Sequence, residues 1–281
     1  VTTKHLIIKS LILVLLLPAF ALAQYKTESI WPGLAPGSEN IKDQEQWSEN
    51  SKVSNVYQPN ITPFLVKTDS ALKPALLIVP GGGYRSIAMN KEGYKLAQWA
   101  NENGISAFVL KYRLNEVDGL RDAQRAMSYL RKNAKKFNID ENKIGVMGFS
   151  AGAHLSGLLT MNRYPIKKYD QLDTFSPKPN FWIPVYGVFG NIFGRWGSHY
   201  PIEDIPPIFI VHADNDSRVP SLNSVDLYSQ LKRMGASAEL HIYEYGEHGF
   251  ALEEDRGVAV SSTVENWSQR CIAWLKVKNI L

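Results

Sequence analysis

From residue 75 onward, short β-rich runs alternate with stretches of helical periodicity, and that alternation leaves few folds open. The runs Ala75–Pro80, Ile105–Tyr112, Lys143–Phe149, Phe181–Val188, Pro207–Ala213 and Ala238–Tyr245 are almost continuously apolar. Between them, helices are expected at about 91–103, 119–137, 151–161, 221–234 and 263–278. The second of these carries Leu120, Ala123, Met127, Leu130, Ala134 and Phe137 at a 3.6-residue spacing, an apolar stripe for one face. Strands that are apolar on both sides must be covered on both sides. The pattern therefore predicts an α/β fold, a mostly parallel twisted sheet with helices on both faces. Segments Ser51–Tyr57 and Ile61–Val66 are expected to add an antiparallel hairpin at one edge. No internal repeat or low-complexity linker divides the chain, so residues 24–281 are read as one domain with an irregular lead-in over 24–50.

In sheets of this kind chemistry gathers at the carboxyl ends of the strands, and four of those ends are distinctive here. One is Pro80-Gly-Gly-Gly-Tyr84. A second is Gly148-Phe-Ser-Ala-Gly152, directly after the run Lys143–Met147. A third is His212-Ala-Asp-Asn-Asp-Ser-Arg-Val-Pro220, and the last is Tyr245-Gly-Glu-His-Gly-Phe250. A serine at a helix start is ordinarily an N-cap. Set between glycines two before and two after it, where a strand gives way to a helix, Ser150 instead fits a sharp elbow that lifts a nucleophile above the sheet. A serine hydroxyl becomes a useful nucleophile only when a neutral imidazole takes its proton, and the imidazole needs a carboxylate to hold its tautomer.

Of the six histidines, His248 alone lies on a glycine-flanked loop after the last strand, free to reach over a serine. His154 is one helical turn beyond Ser150 and is expected to pack beneath the elbow. His212 and His241 fall inside strands, where core or supporting roles are ordinary. His199 sits in a short insert and His5 near the start of the chain. Asp214 and Asp216 are both candidates for the acid.

The order Ser…Asp…His resembles that of the α/β-hydrolase superfamily. Together with Ile30-Trp-Pro-Gly-Leu-Ala-Pro-Gly37, the Pro-Gly-Gly-Gly-Tyr loop, the elbow with its following His-Leu, and Glu-His-Gly-Phe, the chain resembles the bacterial acetylxylan-esterase-like carbohydrate esterases. These stand near the hormone-sensitive-lipase-like esterases, although here Pro80 replaces the histidine of their His-Gly-Gly-Gly loop. The resemblance implies the α/β-hydrolase fold and a catalytic set of Ser150, Asp216 and His248. Asp216 is favoured by its position four after His212 and four before Pro220, with Asp214 left to fix the loop. The resemblance also implies an oxyanion hole from the amides of Gly82 or Gly83 and Ala151. The segment 189–206 is a short, cap-like insert beside the longer ones of that family. Tyr84 and, from the insert, Trp196 are candidate substrate-binding aromatics.

The implied activity is that of a serine esterase that deacetylates plant polysaccharide such as xylan. The alternatives are a feruloyl esterase or a general short-acyl carboxylesterase or lipase, and, more remotely, a hydrolase-fold module that binds without catalysis. Partners would be acetylated or feruloylated polysaccharide or oligosaccharide. No His/Cys/Asp cluster has metal-ligand spacing, so neither metal nor cofactor is expected. Asp122 and Arg125, three apart on one helix, should form a local ion pair.

Composition sets the surroundings. With 44% apolar and 11% aromatic residues the chain has ample material for a core. Lys4 and Lys9, then the apolar run Leu11–Ala23 ending Ala21-Leu-Ala23, read as a signal peptide over 1–23, which predicts a secreted or periplasmic protein. Its removal lowers the formal charge of +4 by two lysines. The remaining basic residues are scattered, so neither nucleic acid nor, after cleavage, a membrane surface is an expected partner. The single Cys271 excludes an intrachain disulfide and is expected to be a buried, inert core residue.

Overall fold

The computed structural model describes residues 26–67, 71–161, 167–190, 192–193, 205–252 and 263–281. The segment read as a signal peptide lies outside these residues, as do Trp196, His199 and most of the 189–206 insert.

The strands are β1 (Glu28–Ser29), β2 (Gln46–Trp47), β3 (Lys52–Ser54), β4 (Asn60–Phe64), β5 (Lys73–Val79), β6 (Ile87–Ala88), β7 (Ser106–Lys111), β8 (Ile139–Phe149), β9 (Trp182–Val185), β10 (Ile208–Ala213) and β11 (Ala238–Tyr243). The helices are α1 (Lys95–Glu102), α2 (Glu116–Lys132), α3 (Ala134–Phe137), α4 (Ala151–Thr160), α5 (Leu222–Arg233) and α6 (Trp267–Val277). Eight strands form the main sheet in the order β1-β4-β7-β5-β8-β9-β10-β11. The six from β7 to β11 run parallel, and β4 and β1 close one edge in antiparallel fashion. Every residue of β7, β9 and β10 is buried, which is why these runs read as continuously apolar.

Right-handed crossovers place α2, α4 and α5 on one face and α1 on the other, given this strand order. There α1 meets α6, with Trp99 and Trp267 ring centroids 6.0 Å apart. The chain leaves β5 toward β7 on one side and returns through α2 to β8 on the other. The winding direction therefore reverses between β5 and β8, where such folds open a crevice. Among the described residues no helix is long and apolar enough to cross a membrane.

Three expectations need correction. The hairpin of 51–57 with 61–66 does not form. Asn55 takes a left-handed φ of 52° and sends the chain away, so that β3 joins β2 and β6 in a separate three-stranded sheet while β4 enters the main one. The long helix expected at 119–137 begins earlier, because Asn115 caps it by accepting from the Asp118 N–H at 2.8 Å. It breaks at Asn133, leaving α3 as a separate turn.

Asp122 and Arg125 do not pair with each other. Asp122 takes Arg113 at 2.8 Å and the Trp31 indole N–H at 2.9 Å. Arg125 takes Asp170 and Asp173 and donates through Nε to the Ile30 carbonyl at 2.5 Å. The lead-in is irregular apart from β1, β2 and a short 3-10 turn at Glu39–Ile41. It is nevertheless docked by buried polar bonds onto α2 and onto Arg113, two residues after β7. Cys271 is fully buried, as expected, and burial pushes its thiol up.

Candidate active site

The carboxyl ends of β5 and β8 bring the glycine loop and the elbow together. Ser150 sits at φ 53° and ψ −119° at the junction of β8 and α4, a strained geometry for a residue with a side chain. The glycines around it leave no choice of residue. A Cβ at Gly148 would stand 2.3 Å from the Gly152 carbonyl oxygen, and one at Gly152 would stand 2.0 Å from that of Val79. The tight turn is thus built by the absence of two methyl groups. The turn is also anchored, since the Ser150 N–H donates to the Val185 carbonyl at 3.0 Å.

The loop after β11 carries His248 to this serine. His248 Nε2 lies 3.0 Å from Ser150 Oγ, and Nδ1 lies 2.7 Å from Asp216 Oδ2. Because a carboxylate only accepts, Nδ1 donates and Nε2 is left to accept from the serine hydroxyl. Asp216 is buried and its other oxygen accepts the Arg218 and Val219 amides at 2.9 and 2.8 Å. Burial alone would raise the Asp216 carboxyl. Hydrogen bonds from His212 and His248 and from those two amides outweigh burial and hold it well below the usual carboxylate range.

Asp214 is exposed, and its Oδ1 accepts the Ser221 hydroxyl at 2.7 Å. His212 is fully buried, with Nε2 3.2 Å from Asp216 Oδ2 and 2.9 Å from the Val219 carbonyl, and Nδ1 2.7 Å from Ser224 Oγ. It therefore backs the acid instead of reaching Ser150. His241 pairs with Glu239 on β11.

The loop Gly81–Tyr84 is held from several directions. The Tyr112 hydroxyl donates to the Pro80 carbonyl at 2.8 Å. The Gly81 N–H donates to Glu92 at 2.7 Å, and the Gly81 carbonyl accepts from Ala88. The Gly82 carbonyl accepts from both Arg85 and Ser86. Gly82 has φ 142°, and a Cβ there would lie 2.0 Å from the Ser86 oxygen, so only glycine fits. Among the described residues, the N–H groups of Gly82, Gly83 and Ala151 meet no protein acceptor. Ala151 is also the first residue of α4, whose opening amides suit developing negative charge.

The predicted aromatics divide. Tyr84 stands at the end of this loop, half-buried, and its hydroxyl is 2.8 Å from His154 Nδ1. His154 packs beneath the elbow as expected, and Tyr84 is thereby fixed. Trp196 lies outside the described residues.

Three groups at the site stand outside every motif of the sequence. Asn215 accepts the Gly246 and Glu247 amides, each at 2.9 Å, and so ties the acid loop to the histidine loop. Glu92 and Tyr186, joined at 3.1 Å, lie behind the loop and against His248. Their only sequence signal is a lone glutamate near the start of an expected helix and a tyrosine near the end of an expected strand.

The sheet, its switch point and the Ser-Asp-His order are those of the α/β-hydrolase fold, and the chain resembles the acetylxylan esterases. Its residues 63–182 match the BD-FAE family model, and residues 191–274 match that of the prolyl oligopeptidase family. It is 33% identical over 208 residues to an acetylxylan esterase of Xylanibacter ruminicola, covering 63% of this chain and 41% of that protein. It is 28% identical over 270 residues to endo-1,4-beta-xylanase B of Butyrivibrio fibrisolvens, covering 85% of this chain and 42% of that protein. The chain thus spans about two fifths of the length of these curated relatives. Among solved structures it superposes on an acetyl ester-xyloside bifunctional hydrolase from Caldicellulosiruptor lactoaceticus with a TM-score of 0.72 at 29% identity. That match covers 92% of this chain and 97% of the other.

Proposed function

We propose that this chain is an exported serine carboxylic-ester hydrolase that removes acetyl groups from plant polysaccharide such as xylan. The observation that carries the reading is the hydrogen-bonded run Ser150–His248–Asp216, with Gly81 of the glycine loop packed against Ser150. Ser150 Oγ attacks the acyl carbon while His248 Nε2 takes its proton, and Asp216 stabilises the imidazolium. The carbonyl oxygen becomes an oxyanion facing the loop and helix amides, where one donor is worth roughly 3–4 kcal/mol. Collapse expels the sugar oxygen with the proton from Nε2. Water then gives Nε2 a proton, attacks the acyl-enzyme and frees acetate, restoring Ser150. The similarity to an acetylxylan esterase and to an acetyl ester-xyloside hydrolase supports the choice of acyl group and polymer. The basic and apolar opening of the sequence supports export.

Activity is tested with acetylated xylan and with aryl acetyl, butyryl, octanoyl and feruloyl esters. The expected result is acetate release from the polymer, with kcat/KM highest for acetyl and falling steeply by octanoyl. Ser150→Ala should fold normally and lose hydrolysis by several orders of magnitude. A tenth of wild-type turnover remaining in that variant would remove Ser150 from the role. A feruloyl preference would replace the proposed substrate.

A further inference from the structure

Glu92 is buried at 7% exposure in the middle of this apparatus. A carboxyl group taken out of water is costly unless its oxygens are satisfied, and among the described residues the two donors that meet it both belong to the proposed site. Oε2 accepts the Gly81 N–H at 2.7 Å, and Oε1 accepts the Tyr186 hydroxyl at 3.1 Å. The Tyr186 ring in turn packs edge-on to the His248 imidazole with centroids 5.0 Å apart. A Cβ built at Gly81 would stand 2.9 Å from both Glu92 Oε2 and Ser150 Cβ, and one at Gly249 would stand 3.9 Å from Glu92 Oε1. The glutamate therefore fills the space behind the glycine loop, the nucleophile and the histidine loop at once.

Local backbone geometry aims it there. Residues Asn90–Tyr94 form a π turn ahead of α1, closed by the Tyr94 N–H to the Met89 carbonyl at 2.8 Å. A π turn inserts one residue into a helical path and is found disproportionately at functional sites. Tyr186 reaches its partner from a left-handed backbone at φ 41°, a conformation costly for an aromatic residue. Two unfavourable local choices converge on one contact.

We propose that Glu92 is a positioning residue for the oxyanion hole and the catalytic histidine. By taking the Gly81 N–H it fixes the peptide that leads into Gly82 and Gly83, so that their amides are left to face the reacting oxygen. By taking the Tyr186 hydroxyl it holds the aromatic ring against which His248 rests. The inference depends on the proposed role of Ser150 and adds a residue to that machinery.

Reach and the carboxyl group itself separate in two variants. Glu92→Gln keeps the length of the side chain: its amide oxygen can accept from Gly81, and its NH2 can donate to the Tyr186 oxygen. Glu92→Asp keeps the carboxyl group but is one methylene too short to meet both groups. With an aryl acetate, Glu92→Asp should lose about 100-fold in kcat, the scale of an ångström of misplacement at a reacting centre, with KM within about threefold. Affinity for an alkylboronic acid, which places an oxygen in the oxyanion hole, should fall by a similar factor. Glu92→Gln should recover most of the lost turnover, and both variants should melt as cooperatively as the wild type.

If Glu92→Gln falls as far as Glu92→Asp, or Glu92→Asp keeps kcat within about threefold, or its loss appears in KM alone, Glu92 does not position the site. Stoichiometric labelling of the wild type by a fluorophosphonate keeps the serine reading separate. Labelling together with an active Glu92→Asp overturns only this inference, whereas failure to label overturns both.

Discussion

At the scale of single residues, two aspartates two positions apart have been given opposite surroundings. Asp216 is buried and accepts from two histidines and two amides, while Asp214 is exposed and takes one serine hydroxyl. Asp216→Asn would present an amide to His248 Nδ1 and favour the wrong tautomer, so kcat is expected to fall by about 10⁴. Asp214→Asn retains an oxygen for Ser221 and should stay within about tenfold. Parallel kinetics on the two variants check the assignment, and a reversed order would move the role to Asp214.

The same environment has a consequence for stability. An unfolded aspartate titrates at about 3.9, whereas in the fold the Asp216 carboxyl is held far lower. Its stabilisation is therefore complete above the unfolded value and is lost as pH falls through the native one. Thermal melts between pH 5 and pH 3 should show a steeper fall in Tm for the wild type than for Asp216→Asn.

At the scale of elements, the strand–helix alternation made the sheet legible because strands buried on both faces leave an unbroken apolar record. The elbow was legible for a related reason: glycine is the only residue that fits at two positions around Ser150, and the sequence shows both. Gly152→Ala tests that crowding. Its Cβ would meet the Val79 carbonyl at 2.0 Å, a contact between backbone atoms that no rotamer can relieve. Overpacking in a close-packed interior costs typically 1–3 kcal/mol and more where nothing can shift, so Tm should drop by several degrees. An unchanged Tm would mean that α4 can slide on β5.

What the sequence hid were contacts made by isolated polar residues across long separations. Glu92 reaches Gly81 through a π turn whose i→i+5 bond leaves no periodic signature, and Tyr186 reaches Glu92 only because β9 stops short of the expected Val188. The partners of Asp122 and Arg125 were hidden in the same way. Helical spacing made a local pair plausible, but burial turned each side chain toward a different strand or loop. The expected hairpin failed on one left-handed asparagine, which polarity patterns do not register.

At the scale of the whole molecule, the lead-in is part of the core despite its irregular backbone. Arg113 donates to the Pro36 carbonyl at 2.5 Å, Arg125 to that of Ile30, and Trp31 to Asp122, while β1 and β2 pair with strands of the two sheets. Similarity to the BD-FAE model begins only at residue 63, which makes that position a tempting place to start a recombinant chain. A protein cut there would lose β1, most of the small sheet and the carbonyls that complete two buried guanidinium groups. The ion pairs of Arg113 with Asp122 and of Arg125 with Asp173 would survive, but each buried polar group left without its partner costs about 1–3 kcal/mol. The buried Ile30, Trp31, Val53 and Ile61 side chains would go as well, together a large share of the total for any domain. Expressed side by side, chains starting at residues 26 and 63 should differ sharply, the longer soluble and the shorter confined to the pellet. For anyone building fusions or trimming this chain for crystallisation, the working boundary is set by where two arginines find their carbonyls, well upstream of residue 63, where the match to the BD-FAE model starts.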